Sequence, residues 1–145
     1  MAQRTGPDWS WAIFFARWVL GLIFFMAGWW KLVELTPAGH VELYFIGQFA
    51  DTWIPTWLLW AVGATIPFVE LLAGGLQCLG LRVREALVAL GALLVVVTYG
   101  HLLLEPLFST TGHIFPRLAL LLFLLIAPRG DDRLSVGAWL ARRRG

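Results

Sequence analysis

The sequence predicts an all-α fold, an integral membrane four-helix bundle with a short interfacial helix in its first loop and a short amphipathic helix at its C-terminus. Composition is the first reason: 59% of the 145 residues are hydrophobic, 14% are charged and mean hydropathy is +0.76. A soluble chain of this length cannot bury so much apolar surface. The second reason is its arrangement in four runs, about 11–30, 57–81, 86–104 and 110–127, each close to the ~20 residues that cross a bilayer as a helix. The third is tryptophan. Trp9 and Trp11 edge the first run on one side and Trp29 and Trp30 on the other, while Trp53 and Trp57 open the second, as amphipathic rings do at headgroup level. The runs leave no space for a second domain, so residues 1–145 read as a single membrane domain.

The first run carries Arg17, a charge that costs about 2.5 to 3.5 kcal/mol at the centre of a span and so calls for a partner or a purpose. Glu70, alone in the second run, is the available partner. In antiparallel helices the guanidinium starts about 9 Å and the carboxylate about 16 Å from the same edge, at 1.5 Å rise per residue. An ion pair that fixes helix register is the simplest reading, and a proton or substrate role is the alternative. Gly21, Phe24, Gly28 and Lys31 continue the Arg17 stripe, as Gly63, Pro67, Gly74 and Gln77 continue that of Glu70. Small residues on such stripes, with Gly91 on the third run, predict close helix packing.

Between the first two runs, Thr36-Pro37 reads as a helix start, and Val41, Tyr44, Phe45, Gln48 and Phe49 recur at helical spacing. This is the interfacial helix. The third run ends in His101 and Glu105, and the fourth begins with His113 and Arg117. These four gather near one membrane edge, under the long loop. A metal is not assigned there, because the spacing matches no ligand motif and Glu105-Pro106 reads equally as a helix end. At the C-terminus Asp131 or Asp132 is placed to cap a last helix, with Val136, Trp139 and Leu140 on one side and the arginines toward lipid phosphates.

Orientation follows from the basic residues outside the runs. Arg4, Arg82, Arg84, Arg129, Arg133 and residues 142–144 fall on one side; Lys31, Glu34, Glu42, Asp51 and Glu105 fall on the other. Both termini are therefore expected in the cytoplasm. The net charge of +2 reports this topology and contact with anionic lipid, not nucleic acid. The first run is too long for a cleaved leader and is expected to remain as a helix.

No catalytic residues are assigned. Cys78 is the only cysteine, which excludes an internal disulfide and dithiol exchange within one chain. No Ser, His and Asp set assembles a nucleophile with its base. Gly74-Gly75 lies inside a span without a following Lys-Ser or Lys-Thr, so it is a packing notch and not a phosphate loop.

The stretches RWVLGLIFFMAGWWKL (residues 17–32) and ELLAGGLQCLGLR (residues 70–82), with GDDRLS at residues 130–135, resemble the signatures of the DoxX family, small bacterial four-helix membrane proteins. The resemblance implies the bacterial cytoplasmic (inner) membrane. It further implies a cofactor-free accessory subunit of a respiratory or photosynthetic electron-transfer complex, with membrane lipids and other redox subunits as partners. The alternative it implies is a quinone-interacting subunit of an oxidoreductase such as a thiosulfate:quinone enzyme. His101, Glu105, His113 and Arg117 would then be polar contacts for a bound quinone, or for a lipid.

Overall fold

The computed structural model describes residues 9–107 and 112–144. Among the described residues the chain is helical and contains no strands. In order it forms α1 (Trp9–Val33), α2 (Pro37–Val41), a π-helical turn (Glu42–Ile46), α3 (Gly47–Phe49), α4 (Thr56–Leu79), α5 (Val83–Leu104), α6 (Ile114–Ile126), a 3₁₀ turn (Arg129–Asp131) and α7 (Val136–Arg144). α1, α4 and α5 are each long and apolar enough to cross a membrane. α6 is equally apolar but only 13 residues long, about 20 Å at 1.5 Å per residue. It is shorter than the run of 110–127 expected from hydropathy: residues 108–111 lie outside the described part, and the helix begins only after His113.

α1 and α4 form the most intimate pair, and small residues explain why. A methyl group on Gly74 would sit 2.5 Å from the backbone nitrogen of Phe25; one on Gly28 would sit 2.5 Å from that of Leu71; one on Gly21 would sit 2.7 Å from Cys78 Sγ. Nothing larger than hydrogen fits at these crossings. Gly91 behaves differently, since a methyl group there would meet Leu121 at an ordinary 3.8 Å. Leu20, Phe24, Leu87, Leu90, Leu94 and Leu121 fill the centre between α1, α4, α5 and α6. On the outward faces Phe15, Met26, Leu72, Val88, Val95, Phe115 and Ile126 stand exposed, a girdle that suits hydrocarbon and not water.

Local chemistry sets the ends. α4 closes on Gly80 at φ +68°, with Leu81 N–H donating to Leu76 O at 3.0 Å and Gly80 N–H to Gln77 O at 3.1 Å, a left-handed cap that glycine adopts without strain. α2 starts where Thr36 Oγ1 accepts from Gly39 N–H at 3.3 Å, with Pro37 in the first turn. α7 is capped by Ser135, whose Oγ accepts from Ala138 N–H at 3.1 Å. Asp131 and Asp132 do not take that role; they lie in the preceding turn, and Ser135 is the residue directly before the helix. The segment 37–49 lies across α4, with Val41 and Phe49 buried and Leu43 and Tyr44 exposed. Trp11, Trp29, Trp30, Trp53 and Trp57 are exposed, whereas Trp9 is half-buried and stacks on Phe123 at 6.1 Å.

Candidate functional site: two charged ends of one bundle

Pro67 lies inside α4 and has no N–H to give to the carbonyl four residues earlier, that of Gly63. His40 takes up that carbonyl with Nδ1 at 2.9 Å. Because a carbonyl can only accept, Nδ1 carries the proton. Gly63 has no side chain to obstruct this approach: a methyl group there would collide with Phe45 and Val41. One proline and one glycine in a span thus anchor the loop helix over it. His40 is 3% exposed; burial, together with nearby Lys31, holds its imidazole below the ordinary pKa against the pull of the Gly63 hydrogen bond.

The same α1 and α4 stripes position the charges. The glycine crossings put Lys31 beside Glu70, and its ammonium donates to both carboxylate oxygens at 2.9 and 2.7 Å. Arg17 lies about 21 Å further along α1, fourteen residues at 1.5 Å each. There its guanidinium meets the end of α4, donating to Gln77 O at 2.6 Å, Cys78 O at 2.8 Å and Leu134 O at 2.9 Å. The last carbonyls of a helix lack intrahelical partners and carry the negative end of its dipole, so they suit a buried cation. Asp132 lies 3.7 Å from Arg17 Nε, an ion-pair distance too long for a hydrogen bond. Burial raises the Asp132 carboxyl above its usual range while the Arg17 charge opposes that rise.

The expected Arg17–Glu70 pair is therefore not made. Depth measured from run edges ignored the packing register, in which Gly21 meets Gly74 and Cys78 while Gly28 meets Pro67 and Leu71. Pairing the glycine stripes of the two runs would have placed Arg17 at Gln77 and Cys78 and left Lys31 for Glu70.

At the Lys31 end the bundle opens into a cavity of about 610 Å³. Lys31, Glu70, Arg117, His40, His101 and His113 supply most of its polar wall, joined by Gln48 and Tyr44; Phe24, Trp30, Phe45, Phe49, Leu93 and Leu94 are among its apolar residues. Three of the four residues expected to cluster here do line it. Glu105, exposed just past the end of α5, does not. Arg117 donates to the carbonyl of His113 in its own first turn, and its guanidinium carbon stands 5.9 Å over the Phe24 ring. It makes no salt bridge among the described residues. No group of three or more His, Cys, Asp or Glu side chains placed to hold a metal occurs among the described residues.

Long apolar helices, an apolar girdle and a buried polar interior define an all-helical membrane protein. The family model of the methylamine utilisation protein MauE matches residues 9–114, and the chain belongs to that family. The resemblance to DoxX is corrected by this match: glycine, tryptophan and basic-turn patterns in the first two spans recur wherever small membrane helices pack closely, and they did not separate the two families. The thiosulfate:quinone reading rested on that resemblance and goes with it. No curated protein and no solved structure matches the chain.

Proposed function

We propose that this protein is an accessory membrane component of the electron-transfer system that methylamine utilisation requires, acting through partner subunits and not through catalysis of its own. The observation that carries this reading is membership of the MauE family over residues 9–114, together with three helices fit to cross a membrane. In this reading residues 1–145 form one membrane domain, a bundle of α1, α4, α5 and α6, with α6 as the fourth and shortest span. The protein sits in the bacterial cytoplasmic membrane with both termini inside, supported by the surplus of arginine on that side. Its partners are lipids and membrane subunits of the redox system.

Deleting the gene in a methylamine-growing host tests the role. Growth on methylamine is expected to fail while growth on ammonium continues, and a mild-detergent purification from wild-type cells is expected to yield redox subunits in fixed ratio. Normal growth on methylamine without the protein would overturn the reading. Topology is tested separately with Cys78→Ala carrying Asp51→Cys or Ala141→Cys: labelling of intact spheroplasts from outside is expected at 51 and not at 141.

A further inference from the structure

We propose that the cavity at the Lys31 end binds a single-chain amphiphile with an anionic head, a carboxylate or a phosphate monoester, with Arg117 as its counter-charge. Lys31 and Arg117 are two cations facing one carboxylate, and Glu70 is already held by both of its oxygens to Lys31. Arg117 feels the Glu70 charge at a distance but is the cation with no carboxylate in salt-bridge contact among the described residues. Its one hydrogen bond there goes to a backbone carbonyl of its own helix, and a guanidinium has five donors in a planar fork that suits an oxyanion. A half-buried cation in an apolar protein is costly without such a partner.

The rest of the cavity selects a chain. At about 610 Å³ it falls within the roughly 300–1,000 Å³ typical of small-molecule pockets. Phe24, Phe45, Phe49, Leu93, Leu94 and Val97 offer it carbon and no hydrogen-bonding side chains. An inorganic anion would leave that wall unfilled, and a neutral quinone would bring Arg117 no counter-charge in direct contact. The site does not depend on the methylamine reading, because it is measured on the isolated protein.

The test uses full-length protein in phosphatidylcholine nanodiscs and competition against labelled dodecanoate. Dodecanoate or dodecyl phosphate is expected to compete at least about tenfold better than dodecanol, short-chain ubiquinone or inorganic phosphate, one such step being one charge-assisted contact. The stronger of the two anions identifies the head as carboxylate or phosphate. Arg117→Gln is expected to weaken the anions about tenfold and leave dodecanol unchanged, with Arg117→Lys restoring most of the binding. Equal competition by dodecanol or ubiquinone overturns the proposal, as does inorganic phosphate matching the chain-bearing anions. The ligand series on the unaltered protein decides the matter even if Arg117→Gln fails to fold.

Discussion

The two ends of the α1–α4 pair each hold a cation away from water and treat it in opposite ways. Arg17, 1% exposed, is wrapped by the carbonyls of Gln77, Cys78 and Leu134 and ties α4 to the C-terminal segment. Lys31 is answered by a single carboxylate beside a cavity, with a second cation, Arg117, nearby. Three of the five Arg17 donors are held by backbone that does not move independently of the fold, and Nε faces Asp132 at 3.7 Å, which makes this charge a structural one. A pair at the edge of a void retains contact with whatever enters the void. The first end holds the bundle together; the second end is where chemistry with a partner can occur.

Breaking the backbone-held end carries the largest expected effect. Arg17→Leu strands three carbonyls and the Asp132 carboxylate, and is expected to destabilise the protein by about 3 to 5 kcal/mol, the range for removing one partner of a buried ionic network. Reversible unfolding in mixed micelles measures it; a loss under about 1 kcal/mol, the size of a surface pair, would show the end to be dispensable. Gly74→Ala comes next. Its new methyl group meets the α1 backbone at Phe25, so the helices must part, at about 1 to 3 kcal/mol for overpacking. Gly91→Ala is the control, expected to be neutral or slightly stabilising.

The smallest effect separates the ends by pH. His40 in the native protein has its pKa below the ordinary value. Above about pH 6.5 both folded and unfolded forms are neutral there and the contribution is complete; as pH falls below that, the unfolded chain takes up the proton first and stability declines until the native pKa is passed. Melting temperature is therefore expected to fall more steeply between about pH 7 and 5 in wild type than in His40→Gln. Parallel curves would remove His40 from that slope.

Much of the fold was legible because it follows from hydropathy and small-residue spacing: three of the helices lie within a few residues of the runs read from sequence. Among the described residues the fourth helix covers Ile114–Ile126 of the run 110–127: Gly112 disfavours helix just before it, and Pro116, which has no N–H to donate, suits its first turn. The site was half legible. His101, His113 and Arg117 come together as their positions near two adjoining helix ends suggest. Arg17 was recognised as needing a partner and Glu70 was assigned to it, but the partner of Glu70 is Lys31, set by the interhelical register that resides in the Gly21, Gly28 and Gly74 crossings and in no single residue. His40 was missed, although Pro67 four residues after Gly63 announces an unpaired carbonyl inside a span.

That register is tested most directly by paired double-mutant cycles on Glu70→Gln, one with Lys31→Met and one with Arg17→Met, read as unfolding free energies. The structure predicts a coupling of about 1 to 3 kcal/mol between Lys31 and Glu70 and additivity within about 0.5 kcal/mol between Arg17 and Glu70, as expected for contacting and distant sites. Coupling of Glu70 to Arg17, with additivity to Lys31, would contradict it.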